Sequence, residues 1–150
     1  MAKKILFVCT GNTCRSPMAE GLLKKIANDN QFSVEVRSAG IAAFPGVPVT
    51  AEAVQACREK GVDISSYQSQ PLSKNLVMDS DLILTMTGKH KEMILKKMPA
   101  LEPKVALLSE FAGAGAEDVE DPVGQPIDAY RAVLGQMEEY LKKALDKIKN

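Results

Sequence analysis

A cysteine and an arginine stand at the two ends of a short polar segment that follows an apolar run. Cys9 comes directly after residues 4–8, and Arg15 lies six positions later, followed by Ser16 and Pro17. A tight loop between a strand and a helix turns backbone N–H groups inward, and the helix N-terminus adds unpaired donors and a positive dipole end. The planar fork of an arginine can hold two oxygens of a tetrahedral oxyanion. The pattern predicts a loop that binds an oxyanion.

The thiol at the start of this loop is the candidate nucleophile. The helix N-terminus and Arg15 are expected to lower the pKa of Cys9, since comparable settings bring a cysteine to roughly 3.5–7.5. A thiolate beneath a phosphate-shaped cup indicates attack on phosphorus, with a cysteinyl-phosphate intermediate. The alternative is a buried structural cysteine beside an arginine in a surface ion pair. The joint pattern of strand, cysteine, arginine and Pro-started helix makes that alternative the weaker one.

Residues 9–17, CTGNTCRSP, resemble the signature of the low molecular weight protein tyrosine phosphatase family. That family carries this loop near the N-terminus and an Asp-Pro pair late in the chain, where this sequence has Asp121-Pro122. The likeness also includes Ser38-Ala39-Gly40, the third predicted strand and the terminal helix, so it extends over nearly the whole chain. It implies a phosphatase domain that occupies residues 1–150.

The resemblance implies a role for each residue of the site. Cys9 would be the nucleophile, Arg15 would clamp the phosphoryl group, and Asp121 would protonate the leaving group and then activate the attacking water. Ser16 would hydrogen-bond Cys9, and Ser38 would support the loop through Asn12. The residues expected to bind phosphate are Thr10, Gly11, Asn12, Thr13, Cys14, Arg15 and Ser16. No cofactor is implied.

The remaining cysteines and the single histidine have weaker signals. Cys14 has two interpretations, either a small core residue at the start of a helix or a second thiol that traps oxidised Cys9 in a reversible disulfide. The resemblance favours the second. Cys57 is expected to pack in its helix. His90 is expected at the surface of its helix, and no metal site is predicted because this histidine has no partner at ligand spacing.

Thr13 is the residue that separates two possible substrates. Tyrosine phosphatases of the family usually carry a bulky aliphatic residue there, whereas CTGNTCRSP resembles the branch that dephosphorylates protein arginine. Threonine removes apolar bulk beside the phosphorus and adds a hydroxyl. Val123 follows Asp121-Pro122, where tyrosine phosphatases tend to carry tyrosines that enclose a phenyl ring. The prediction is a phosphatase of phosphoarginine in proteins, with phosphotyrosine as the alternative substrate.

Three other functions share parts of this pattern. Arsenate reductases of the same fold pass a disulfide through further cysteines beyond the third strand, but residues 79–92 contain no cysteine. A sugar-phosphotransferase carrier places a phosphorylated cysteine after its first strand, yet needs neither Arg15 nor a late Asp-Pro pair. A flavodoxin-like domain that only binds a phosphate-bearing ligand is the third. Turnover of an aryl phosphate would separate a catalyst from such a binder.

The elements that position these residues alternate between strand and helix. Apolar runs and alternating patterns predict strands at 4–8, 32–37, 81–86 and 104–108. Helical spacing and end signals predict helices at 17–28, 49–60, 73–78, 88–97 and 127–148, with a long loop at 110–124. This order predicts a single three-layer α/β domain, with a four-stranded parallel sheet and helices on both faces. In such sheets ligands bind beyond the carboxyl ends of the strands, where Cys9 lies.

The composition excludes several classes of partner. The 150 residues are 45% apolar, and 19 basic residues balance 19 acidic ones, so no charge excess favours nucleic acid or an acidic membrane. No apolar stretch approaches the roughly 18 residues of a membrane span, and three cysteines do not make a disulfide framework. We expect a cytoplasmic protein with reduced thiols. A monomer is expected, although no sequence feature fixes the oligomeric state.

Overall fold

A parallel sheet forms the centre of the structure, a computed structural model that describes residues 2–150. Within that range the sheet has four strands, β1 (Lys3–Cys9), β2 (Val34–Gly40), β3 (Leu82–Thr85) and β4 (Val105–Leu107). Their spatial order is β2-β1-β3-β4, and every neighbouring pair is parallel. The strand order therefore reverses at β1, and the crevice beyond its carboxyl end is where such sheets bind ligands.

Helices cover both faces of this sheet. They are α1 (Arg15–Asp29), α2 (Ala51–Arg58), α3 (Lys74–Asp79), α4 (Gly88–Lys97), α5 (Leu108–Phe111) and α6 (Ile127–Lys149), and a 3₁₀ segment spans Pro99–Lys104. In the part of the chain that the structure describes, none of the helices is both long and apolar enough to cross a membrane.

Alternation along β1 divides the core into two clusters. Phe7 and Cys9 belong to the larger cluster, which contains residues of α1, α2 and α6, whereas Leu6 and Val8 belong to the smaller one, with residues of α3 and α4. Successive side chains of a strand point to opposite faces, so both faces of β1 are buried. The same alternation puts the Cys9 side chain on the face that α1 and α6 cover.

The predicted fold class is confirmed, and the differences lie at element ends and in two short helical segments. β2 ends at Gly40 rather than 37, because it pairs with β1 over its whole length, up to Cys9 opposite Gly40. The region predicted as a loop from 110 begins with the last residues of the short helix α5, which the sequence analysis missed. The 3₁₀ segment was also missed, since its two prolines indicate a loop rather than a helix.

Candidate active site

The loop between Cys9 and α1 is attached to the end of β2. The Ile41 and Ala42 N–H groups donate to the carbonyl oxygens of Cys9 and Thr10, each at 2.9 Å. Gly40 allows this approach, because a Cβ there would overlap the Thr10 carbonyl oxygen and come within 3.0 Å of a backbone nitrogen in the loop. A residue without a side chain is therefore required at position 40.

Asn12 holds the turn of the loop. Its φ is +57°, a conformation that asparagine tolerates better than most residues. Its Oδ1 accepts a hydrogen bond from the Gln70 N–H at 2.9 Å, and its Nδ2 donates to Ser16 Oγ at 2.7 Å and to Ser38 Oγ at 2.9 Å. A backbone N–H can only donate, so the contact with Gln70 fixes which end of the Asn12 amide is oxygen. The predicted contact between Asn12 and Ser38 is confirmed.

These contacts set the direction of the hydrogen bonds that reach the sulfur. Ser38 Oγ accepts from Asn12 and donates to Glu20 Oε1 at 2.7 Å. Ser16 Oγ also accepts from Asn12, which leaves its hydrogen for Cys9 Sγ, 2.8 Å away. The Asn12 N–H points at the same sulfur at 3.3 Å. When Cys9 is deprotonated, its sulfur accepts from both of these donors, and the two hydrogen bonds favour the thiolate form.

Burial opposes those donors. Cys9 is 2% exposed, and this burial raises the pKa of its thiol above the ordinary value. The hydrogen bond from Ser16, the charge of Arg15 and the hydrogen bond from Asn12 lower that pKa, but burial outweighs them. This upward shift of the Cys9 pKa is opposite to the downward shift expected from the sequence. The reason is that the loop excludes water from the sulfur as well as surrounding it with hydrogen-bond donors.

Arg15 joins the loop to the late Asp-Pro segment. Its buried guanidinium donates through Nη1 to the Val119 carbonyl oxygen at 2.9 Å. Its Nη2 lies 3.5 Å from Asp121 Oδ2 and 3.5 Å from Thr10 Oγ1. The Asp121 side chain is 43% exposed, so its carboxyl group is open to solvent. One face of the arginine is therefore fixed by the backbone, and the other faces the site.

The segment that carries Asp121 is anchored at the carboxyl end of β3. The Val119 N–H donates to the Met86 carbonyl oxygen at 2.8 Å, and the Gly88 N–H donates to Asp118 Oδ1 at 2.9 Å. Val119 itself is fully buried. Since β3 is the neighbour of β1, these contacts bring a residue near position 120 beside the loop at position 9.

A cavity of about 220 Å³ contains most of the predicted site. Its lining residues are Cys9, Thr10, Gly11, Asn12, Thr13, Cys14, Arg15, Asp121 and Val123. Of the other predicted residues, Ser16 lies behind the Cys9 sulfur and Ser38 lies behind Asn12. The structure thus brings together every residue that the sequence analysis selected, either in the cavity wall or one hydrogen bond behind it.

His90 was expected at the surface, and that prediction is wrong. It is 5% exposed, on the first turn of α4, and its Nε2 lies 2.9 Å from Thr10 Oγ1. Because α4 starts just beyond the carboxyl end of β3, its first turn faces the loop that follows β1. Glu20 and Gln70 also belong to the hydrogen-bond network behind the loop, although no local sequence motif marks either of them.

The other two cysteines are buried thiols. Cys57 is fully buried in α2, and burial raises its pKa to about 12, so the predicted packing role is confirmed. Cys14 Sγ lies 3.6 Å from Thr50 Oγ1 and 3.7 Å from the Tyr130 hydroxyl. Its reversible disulfide with Cys9 stays a prediction.

Comparison with known proteins gives a consistent result. The family model described as "Low molecular weight phosphotyrosine protein phosphatase" matches residues 4–150. A protein-arginine-phosphatase of Bacillus subtilis is 42% identical, over 97% of this chain and 96% of that protein. A probable low molecular weight protein-tyrosine-phosphatase, EpsP, of Ralstonia nicotianae is 38% identical, over 97% of this chain and 93% of that protein.

A solved structure agrees with these relatives. The YwlE arginine phosphatase from Geobacillus stearothermophilus superposes with a TM-score of 0.91 at 37% identity, covering 98% of this chain and 93% of that one. The family match, the relatives and the fold all extend over nearly the whole chain. The chain belongs to the low molecular weight phosphotyrosine protein phosphatase family.

Proposed function

We propose that this chain is a protein-arginine phosphatase, which hydrolyses phosphoarginine in proteins through a cysteinyl-phosphate intermediate. The observation that carries the proposal is the shared cavity, in which the Cys9 sulfur, the Arg15 guanidinium and the Asp121 carboxyl group face one space. Nucleophile, anion clamp and proton donor are the three groups that this reaction needs. No cofactor enters the proposed reaction.

In the first step, the Cys9 thiolate attacks phosphorus while the bond between phosphorus and the guanidino nitrogen breaks. Asp121 gives its proton to the departing nitrogen, so the arginine side chain leaves intact and the sulfur carries the phosphoryl group. Arg15 holds the equatorial oxygens with the face of its fork that the Val119 carbonyl oxygen does not occupy. This fork meets the negative charge of the phosphoryl group.

In the second step, water attacks the cysteinyl phosphate and Asp121 takes one of its protons. The bond between sulfur and phosphorus breaks, inorganic phosphate is released, and the Cys9 thiolate re-forms. The Ser16 hydroxyl, 2.8 Å from the sulfur, stabilises the leaving thiolate by donating its hydrogen. Each turnover returns Asp121 to its protonated form and Cys9 to its thiolate form. Because burial raises the pKa of the free thiol, Cys9 loses its proton before the first attack.

Substrate choice depends on the walls around the leaving group, because both candidate substrates present the same phosphoryl group. Thr13 and Val123 are both in the cavity wall, and neither offers an aromatic surface to a phenyl ring. The relatives named as arginine phosphatases, at 42% and 38% identity, support phosphoarginine. The 38% identical relative named as a tyrosine phosphatase makes phosphotyrosine the second candidate.

The test is the ratio of kcat/KM on matched phosphoarginine and phosphotyrosine peptides. We expect the wild type to prefer phosphoarginine. Thr13→Ile, which replaces the hydroxyl by apolar bulk, is expected to shift the ratio toward phosphotyrosine by about tenfold or more, or ~1.4 kcal/mol in relative barrier height. Thr13→Ser is the matched control, because it keeps the hydroxyl and adds no bulk.

A wild type that already prefers phosphotyrosine would contradict the arginine assignment. A ratio that does not move in Thr13→Ile would remove Thr13 as the discriminating residue. If the wild type prefers phosphotyrosine, the chain is a tyrosine phosphatase that uses the same Cys9, Arg15 and Asp121 groups.

A further inference from the structure

A histidine outside the phosphate-binding loop contacts a side chain that lines the cavity. His90 Nε2 lies 2.9 Å from Thr10 Oγ1, and Thr10 is in the cavity wall. His90 is 5% exposed, and its Nδ1 has no hydrogen-bond partner among residues 2–150. One ring nitrogen of His90 therefore has a hydrogen-bond partner and the other has none, next to the reacting groups.

The unsatisfied nitrogen indicates where the imidazole proton lies. A hydrogen on Nδ1 would be a buried donor without an acceptor, and buried N–H groups without partners are rare in native structures. If Nδ1 carries a lone pair instead, the group without a partner is an acceptor and not an N–H donor. The hydrogen is then on Nε2, and it is donated to Thr10 Oγ1.

Burial, together with the charge of Arg15, keeps His90 neutral, with one ring hydrogen. Burial and the positive charge of Arg15 lower its pKa, and Asp118 and Asp121 raise it by less, so that it lies at about 4. At neutral pH the ring is therefore an imidazole with a single N–H. Its tautomer decides which neighbour receives that hydrogen.

The second neighbour of the Thr10 hydroxyl is also a donor. Arg15 Nη2 lies 3.5 Å from Thr10 Oγ1, on the side of the guanidinium that faces the cavity. A threonine hydroxyl has two lone pairs and one hydrogen. With His90 and Arg15 both donating to the oxygen, the hydrogen has no acceptor left within this cluster and must be donated elsewhere.

We propose that His90 is a positioning residue that turns the Thr10 hydroxyl into a hydrogen-bond donor to a phosphoryl oxygen in the cavity. Thr10 is then a further phosphate ligand that acts through its side chain, beside the backbone N–H groups and Arg15. The inference rests on the proposed phosphoryl chemistry at this loop, and it does not depend on which amino acid carries the phosphate. Thr13 affects the leaving group, whereas Thr10 and His90 affect the group that all substrates share.

The first experiment observes the tautomer directly. The chain has one histidine, so a ¹⁵N-correlated spectrum of the imidazole contains one residue and needs no assignment. We expect the Nε2–H tautomer in wild type at neutral pH. Nδ1–H as the dominant tautomer would overturn the proposal, because Nε2 would then accept the Thr10 hydrogen.

The second experiment compares variants on an aryl phosphate, with inorganic phosphate as competitive inhibitor. His90→Met and Thr10→Val are each expected to lower kcat/KM about tenfold and to weaken phosphate inhibition, since a hydrogen bond to a charged group is lost. His90→Gln places an amide N–H near the position of Nε2 and is expected to stay within about threefold of wild type. Glu92→Gln, two residues further along α4 and exposed, is the matched control.

The double variant separates positioning from general damage. His90→Met combined with Thr10→Val is expected to be no worse than either single variant, because both remove the same hydrogen bond. Equal loss in His90→Gln and His90→Met would overturn the proposal, as would full activity in both or additive losses in the double variant. If His90→Met does not fold, the tautomer and the comparison of Thr10→Val with Thr10→Ser decide the outcome. None of these results depends on a preference for phosphoarginine.

Discussion

At the scale of single residues, Cys9 is subject to two opposing effects. Burial raises its pKa, whereas the Ser16 hydroxyl, the Arg15 charge and the Asn12 N–H lower it. The donors are useful to the reaction only if they stay fixed while sulfur gains and loses the phosphoryl group. Asn12 achieves this, because its amide is oriented by the Gln70 N–H and in turn orients Ser16.

Asp121→Asn is expected to slow hydrolysis by roughly 10²–10⁴ when the leaving group is poor, because the amide cannot donate a proton to it. With a nitrophenolate leaving group the loss is expected to shrink, since that group needs little protonation. The measurement is kcat on a phosphopeptide and on nitrophenyl phosphate. Asp118→Asn is the control, because its Oδ1 can still accept from the Gly88 N–H. Equal losses on both substrates would deny Asp121 the role of general acid.

Arg15→Lys is expected to reduce kcat/KM on all phosphate substrates by about 10²–10³. A lysine cannot donate to the Val119 carbonyl oxygen and hold two phosphoryl oxygens at the same time, as the planar fork can. Arg131→Lys offers the same exchange in a surface pair with Glu59, 2.7 Å away, and is expected to keep full activity. Activity of the Arg15 variant close to that of wild type would contradict the clamp role.

At the scale of elements, the site depends on how closely β2 approaches the loop after β1. The two strands pair in parallel up to Cys9 opposite Gly40, and the chain beyond Gly40 continues the pairing with the loop carbonyl groups. The helix α1 then starts at Arg15, so the loop is fixed at both ends by regular structure. The loop has little freedom to adjust to a larger residue at position 40.

Gly40→Ala is expected to destabilise the fold by about 1–3 kcal/mol, because the new Cβ would overlap backbone that cannot move independently. Gly135→Ala is the matched control with the opposite sign. A Cβ there meets nothing within 4 Å, and alanine in the interior of a helix is favoured over glycine by roughly 0.5–1 kcal/mol. Chemical denaturation of the two variants measures both effects. If Gly40→Ala were as stable as wild type, the backbone of the loop after β1 would be able to shift away from the new Cβ, contrary to this prediction.

At the scale of the whole molecule, the site joins residues that are far apart in the sequence. Arg15 and Val119 are 104 positions apart, and their hydrogen bond spans the interior between α1 and the segment before α6. The contact of His90 with Thr10 spans 80 positions. Such contacts form only when the sheet and both helical layers are in place, so the site and the fold are expected to be lost together.

Acid is expected to destabilise the fold through His90. Its pKa is about 4 in the folded state, below the ordinary 6.5, so the unfolded chain binds more protons between these values. The stability contribution is fully present above pH 6.5 and is lost as the pH falls toward 4, by at most about 3 kcal/mol. Denaturation curves at pH 7, 6 and 5 measure it, and His90→Gln is expected to flatten the change. If the stability of the variant depended on pH as strongly as that of the wild type, His90 would not be the source of the acid destabilisation.

The sequence by itself determined the local parts of this site. The apolar run before Cys9, the short loop and Pro17 predict a strand, an anion-binding turn and a helix start, because each depends on residues within a few positions. Cys9 and Arg15 were selected from such patterns, whereas Asp121 was selected from the resemblance to the family. The parallel sheet followed from the alternation of strand and helix, which needs no knowledge of which residues touch.

Only the tertiary structure decided the contacts between distant segments. It showed that His90 faces Thr10, that Gln70 and Glu20 complete the network of Asn12, and that burial reverses the expected pKa shift of Cys9. The physical reason is that burial and hydrogen-bond direction depend on which elements pack together. A single histidine on a helix has the same local pattern whether it faces water or the loop of an active site, and packing alone distinguishes the two.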